Sequence, residues 1–207
     1  MRDKAMKRYV IDTSIFTNPD IFVQFGPDTN EAIRYFMYAV RKTDAEFYMP
    51  RSIYEELQLV KDIKEVKAEM EAVINIRSPR RYNLMIPSEI LYEFIDEVRL
   101  RIDRGLRVAE EHTRLAGKIV PTDDMGHVIT RLRDRFRETL RKGIIDSRED
   151  ADVVMLAYEL DGTIVSADDG LRKWADRVGI MMVDPTRFGA VIEELIKHKS
   201  TPNHVTE

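Results

Sequence analysis

The chain has 207 residues, no cysteine, and a formal net charge of −4 from 33 Lys and Arg against 37 Asp and Glu. That length suits one substantial core carrying an insertion, and the missing cysteines exclude disulfides, thiolate zinc sites and cysteine nucleophiles, leaving carboxylates, hydroxyls and four histidines for any chemistry. No apolar run approaches the length of a membrane span, and "MRDKAMKRYVID" enters a strand-like pattern without a signal-peptide core, so a soluble, cytoplasmic protein is expected.

Residues 8–11 (Arg-Tyr-Val-Ile) are β-branched and aromatic, which predicts a buried strand with Asp12 at its carboxyl end. Ile33, Phe36, Met37 and Val40 recur at helical spacing, and "EFYMP" then predicts a second strand stopped by Pro50. The order β-α-β implies a parallel sheet. Ser52 is placed to cap a helix carrying Ile53, Leu57 and Val60. "VINI" at 73–76 fits an edge strand or the end of a helix.

From Ser88 to about Lys118 the spacing of Ile90, Leu91, Phe94, Ile95, Val98 and Ile102 predicts a long amphipathic helix. Pro121 breaks it, and residues 126–142 repeat Val128, Leu132, Phe136 and Leu140 at every fourth position among arginines. The pair reads as an antiparallel hairpin, too long and charged for a sheet crossover, and so as an inserted arm. Ile95, Val98 and Ile102 are expected to meet Val128, Leu132 and Phe136. Arg131, Arg133, Arg137 and Arg141 are the candidates for phosphate contact, against the plainer reading of a solvated or dimer-contacting face.

After Gly143 come the acidic stretch "IIDSREDADVVMLAYEL", the strand "TIVSADDG", a helix with Trp174, the strand "IMMVDP" and a helix at 187–197. The expected organisation is a core of residues 7–83 and 143–197, an arm over 84–142 and a flexible tail over 198–207. Trp174 and the methionines are assigned to core or interface, and the histidines to no chemistry.

In an open parallel sheet, sites form beyond the carboxyl ends of the strands at a switch in strand order. Asp12 and Asp168 each follow an apolar strand and should meet there. Asp146 and Asp150 are spaced i,i+4, which places both on one helical face, and Asp152 points away from Asp150 toward solvent or a supporting position. Asp12 could instead open a turn or cap a helix, Asp146 could cap a helix, and Asp168 with Asp169 before Gly170 could form a turn. Together, however, such carboxylates repel unless a cation neutralises them, and oxygen-only ligation favours Mg²⁺ or Mn²⁺ over zinc.

"YVIDTS", "MPRSIYEEL", "DSREDADVVMLAYEL" and "IVSADDGLRKWA", in this order, resemble the PIN-domain nucleases over residues 8–78 and 143–195. The long insertion together with the acidic run is similar, more specifically, to the minimal protein-only ribonuclease P family of bacteria and archaea, also catalogued as RNA ligase partner proteins. The fold then expected is α/β, a PIN-like parallel sheet flanked by helices with a long inserted helical hairpin. The resemblance implies removal of the 5′ leader from precursor tRNA, with Asp12, Asp146, Asp150 and Asp168 as catalytic and metal-holding acids. Glu56, in preference to Glu55, together with Asp152 and Asp169, is a further metal candidate, and Ser14 is placed to orient a carboxylate or phosphate. It also implies a homo-oligomer built from dimers through the arm, with a dodecamer as the candidate assembly. The rival readings are a toxin-type or rRNA-processing PIN nuclease, and a non-catalytic RNA ligase partner or RNA-binding assembly protein.

Overall fold

A computed structural model describes residues 6–117, 125–141 and 147–200. The chain divides into two compact units, one of residues 1–84 with 147–207 and one of residues 85–146.

The first unit is a five-stranded parallel sheet. Its strands are β1 (Arg8–Ile11), β2 (Glu46–Met49), β3 (Asn75–Ile76), β4 (Thr163–Val165) and β5 (Met182–Val183), in the order β3-β2-β1-β4-β5. The consecutive residues Tyr9, Val10 and Ile11 are all buried, so both faces of the central strand are covered, as a parallel sheet requires. One cluster against the sheet is aromatic: Phe36 of helix α3 (Thr29–Val40) and Phe188 of the last helix close on Tyr9 and Phe47 with ring centroids 5.4–6.3 Å apart. Two short helices, α1 (Ser14–Thr17) and α2 (Pro19–Phe22), lead from β1 toward α3.

Helix α4 (Arg51–Val60) follows β2 directly and buries Ile53 and Leu57. The expected Ser52 cap does not form. Pro50 is the N-cap residue, and the Ser52 hydroxyl instead donates to Asp152 Oδ2 at 2.7 Å. Val60 is exposed, so the inward stripe of α4 ends at Leu57. "VINI" is divided: helix α5 (Lys67–Val73) ends in it and β3 begins in it.

The second unit pairs α6 (Ser88–Ala116) with α7 (Met125–Arg141). Along α6 the buried residues are Glu97, Gly105, Val108 and His112, rather than the expected Ile95 and Ile102, both of which are exposed. Gly105 explains the shift. A Cβ there would lie 2.7 Å from the Phe136 ring, so only glycine lets that ring seat so closely. Arg101, beside Glu97 on the same face, donates to the Leu140 carbonyl, one of the otherwise unmatched acceptors at the end of α7.

Helix α8 (Arg148–Leu160) then returns to β4, and α9 (Asp169–Val178) leads to β5. After a 3₁₀ turn at Pro185–Arg187, α10 (Phe188–Ser200) closes the unit. It carries residues 198–200, which were expected in a flexible tail; residues 201–207 lie outside the described set. Trp174 and the methionines Met37, Met49 and Met70 are buried. Among the described residues no helix is long and apolar enough to cross a membrane.

Candidate active site at the sheet edge

Between β1 and β4 the strand order reverses, and the carboxyl ends of these two strands are where such a sheet opens a crevice. Asp12 sits on that line. Its backbone N–H continues the ladder to the Val165 carbonyl at 3.2 Å, and its side chain is almost fully buried. Oδ1 accepts from the Thr13 N–H at 2.6 Å, and Oδ2 accepts from the Ser166 hydroxyl at 2.7 Å. The Ser14 N–H lies 3.5 Å from Oδ2.

Ser166, wholly buried, also accepts the Asp168 N–H at 3.0 Å, and the Ser14 hydroxyl accepts the Ala167 N–H at 3.1 Å. Hydroxyls thus stitch together the loops after β1 and β4, holding the Asp12 carboxylate in one orientation. The Asp168 side chain is exposed and caps α9 by accepting the Leu171 N–H at 2.8 Å. Asp169 is exposed in the first turn of the same helix.

From the other side, α4 brings Glu56 toward Asp12, while Glu55 faces outward and is exposed. Burial pushes the Glu56 carboxyl above its ordinary pKa, and the negative charges of Asp12 and Glu149 push it further. That repulsion places Asp12, Glu56 and Glu149 in one neighbourhood. Glu149 is not among the residues that sequence reasoning selects, although it lies inside the acidic stretch; i,i+4 spacing draws attention to Asp146 and Asp150 instead.

The start of α8 differs from the expectation. Its N-cap is Ser147, whose hydroxyl accepts the Asp150 N–H at 3.0 Å. The cap residue is thus Ser147 and not the expected Asp146. Asp146 itself lies outside the described residues. Asp150 is half-buried in the first turn.

Asp152 is not solvated. It is 4% exposed, with the Ser52 hydroxyl on Oδ2 and the Arg81 guanidinium forking onto both oxygens, Nε to Oδ1 at 3.1 Å. Occupied in this way, it is a poor metal ligand. The pairing could not be read from the sequence because Arg81 lies 71 positions away.

Of the candidate arginines in the arm, Arg131, Arg133 and Arg137 are exposed along α7, and the Arg141 side chain lies outside the described residues. Among the described residues no three Asp, Glu or His side chains gather closely enough to hold an ion. Asp12, Glu56, Glu149, Asp150 and Asp168 nevertheless offer oxygen donors alone, and the Glu56 carboxyl, raised first by burial and then by its acidic neighbours, is one whose charged form a hard divalent cation would favour.

A five-stranded parallel sheet flanked by helices, with Asp12 at its switch point, is a nuclease-like α/β frame. The family model described as PINc domain ribonuclease matches residues 8–197, and the chain belongs to that family. Among its relatives is the RNA-free ribonuclease P of Nitrosococcus oceani, 58% identical over 190 residues that span 92% of this chain and 96% of the relative. The RNA-free ribonuclease P of Thermococcus onnurineus is 44% identical over 91% of this chain and 95% of its own length. That of Pyrococcus horikoshii is 40% identical over 93% and 94%.

Proposed function

We propose that this protein is itself an RNA-free ribonuclease P: an endoribonuclease that removes the 5′ leader of precursor tRNA by hydrolysing one phosphodiester. The observation that carries the reading is near-end-to-end identity with proteins of that name, reaching 58% over 190 residues, in a chain that places Asp12 at the sheet's switch point. The match spans the inserted arm as well as the nuclease core, which favours this activity over that of a toxin-type PIN nuclease.

Asp12, Glu56, Glu149, Asp150 and Asp168, together with Asp146, would hold Mg²⁺ or Mn²⁺. Such an ion would activate water for attack on phosphorus and offset charge on the leaving oxygen. Ser166 and the Thr13 N–H hold the Asp12 carboxylate in register. Burial and the acidic neighbours raise the Glu56 carboxyl, and a cation held beside it would shift it back toward the carboxylate. A bond forms from the water oxygen to phosphorus, the bond to the 3′ oxygen of the leader breaks, and that oxygen takes a proton. The products are a 5′-phosphate on the tRNA and a 3′-hydroxyl on the leader.

Arg131, Arg133, Arg137 and Arg141 are proposed to meet tRNA phosphates. The exposed Leu91, Ile95, Ile102 and Leu106 of α6 support dimerisation through the arm, with a larger homo-oligomer such as a dodecamer as the proposed assembly and the cytoplasm as its proposed location. The test is incubation of purified protein with end-labelled precursor tRNA and with unstructured RNA, with and without Mg²⁺. Cleavage at the mature 5′ end, in precursor tRNA alone and only with the ion, is expected. A 2′,3′-cyclic phosphate on the leader, or equal cutting of both RNAs, would refute the reading.

A further inference from the structure

The segment after β3 carries three arginines, and all three are spent on α8. Arg77 Nη2 lies 2.9 Å and Arg80 Nε 3.2 Å from Glu159 Oε1, while the Arg80 N–H donates to Glu159 Oε2 at 2.8 Å. Two turns earlier on the same helix, Arg81 forks onto Asp152. Both carboxylates are largely removed from water, with side chains 11% and 5% exposed, whereas Arg81 is 58% exposed.

Surface ion pairs contribute little, but a bidentate arginine on a buried carboxylate is directional and fixes the helix it grips. α8 is also the helix whose first turn bears Glu149 and Asp150. From Ser52 on α4 the same Asp152 receives a third hydrogen bond, so the helix of Glu56 is tied to the helix of Glu149 through one carboxylate.

We propose that residues 77–81 form a two-point latch on α8 and that Arg81 is a positioning residue. Acting through Asp152, it sets the spacing of Glu149 and Asp150 from Glu56 and so the metal affinity of the edge. This rests on the proposed metal-dependent function. Asp152 is then an anchor, not a ligand.

The two partners should respond unequally to substitution. Arg81→Ala leaves Asp152 buried and uncompensated, and α8 must shift to hydrate it. Asp152→Asn leaves an arginine exposed enough to stay hydrated, and the amide still accepts from Ser52. A ligand role for Asp152 predicts the opposite order.

The experiment titrates Mn²⁺ by electron paramagnetic resonance into full-length wild type, Arg81→Ala, Arg81→Lys, Asp152→Asn and Arg81→Ala/Asp152→Asn, without RNA, with circular dichroism to verify folding. Arg81→Ala should lose affinity by about tenfold or more, the scale on which supporting partners of metal ligands act. Arg81→Lys should lose less. Asp152→Asn should stay within about twofold, as expected when the remaining partner is solvent-screened. The double variant should recover much of the loss.

Precursor-tRNA binding in EDTA should be unchanged in all four variants, which a general loosening of the fold would not produce. Asp152→Asn losing as much as Arg81→Ala, with no recovery in the double variant, would overturn the proposal, as would wild-type affinity in Arg81→Ala. If Arg81→Ala does not fold, Arg81→Lys takes its place: a loss in Arg81→Lys that exceeds that in Asp152→Asn supports the latch, and the reverse order overturns it. Wild type that binds Mn²⁺ but leaves precursor tRNA uncut would defeat the functional reading, while the order of Mn²⁺ affinities would still test the latch.

Discussion

Asp12 is held on both oxygens before any ion or RNA arrives, so the geometry at this edge belongs to the fold. Replacing Asp12 with Asn keeps the shape but removes the charge. Single-turnover cleavage of precursor tRNA should fall about 100-fold or more, beyond the 10–100-fold typical of supporting partners. Ser166→Ala removes the hydroxyl that orients Asp12 and should cost about 1–3 kcal/mol in a denaturant melt for a buried acceptor left short of a donor. Glu56→Gln should abolish cleavage yet melt, in EDTA, no lower than wild type, because it removes a charge that burial and, further, acidic neighbours disfavour. A clear drop in the melt would place Glu56 in a stabilising pair instead. The positions of Asp12, directly after β1, and of Asp168, in the loop after β4, are legible in the sequence because an apolar strand precedes each. Glu149 and the true state of Asp152 are not, since their partners lie on other elements: Glu56 on α4, Ser52 beside it, and Arg81 beyond β3.

Elements meet through contacts that periodicity alone does not reveal. On α8, burial would raise the Glu159 carboxyl, but the Arg80 N–H and the Arg77 and Arg80 guanidiniums outweigh it and hold the pKa below 4.5. A carboxyl depressed in the folded state stabilises above its unfolded pKa and loses that contribution as pH falls through the folded value. Glu159→Gln should therefore be less stable than wild type by about 1.5–3 kcal/mol at pH 7, the usual worth of hydrogen bonds to a charged group. The gap should close in melts taken progressively below pH 4.5. A gap independent of pH would mean that shape, not charge, holds the segment after β3. In the arm, the every-fourth spacing on α7 points correctly to Phe136 at the seam, whereas the apolar spacing on α6 points to the wrong stripe. The seam there uses glycine, a Glu–Arg pair and a buried histidine, residues that no hydrophobic pattern selects. Gly105→Leu should push Phe136 out and cost about 1–3 kcal/mol of stability, the range for an overpacked contact, seen as a lower thermal midpoint.

At the scale of the whole molecule, the parallel sheet and the inserted helix pair can be read in advance because β-α-β order and long uninterrupted periodicity are properties of the chain itself. What covers a stripe is not such a property. Periodicity cannot distinguish an apolar face that meets its own chain from one that meets another copy, and on α6 the row Leu91, Ile95, Ile102 and Leu106 is exposed. Arg133 and Arg137 stand one turn apart on α7, both exposed, on a row separate from the Phe136 seam. Assembly and RNA contact should therefore respond to different substitutions. Ile102→Glu with Leu106→Glu should reduce the particle to a smaller species by light scattering, because two charges would have to be buried in an apolar contact. Arg133→Glu with Arg137→Glu should leave the particle size unchanged but weaken precursor-tRNA binding. The dependence of log affinity on log salt should also flatten by about two, roughly one for each phosphate that is no longer neutralised. Cleavage at saturating RNA should survive the arginine changes better than binding does, since neither residue belongs to the acid edge. If the arginine pair also broke the particle, or the apolar pair left it whole, the division of the arm into an assembly face and an RNA face would be wrong.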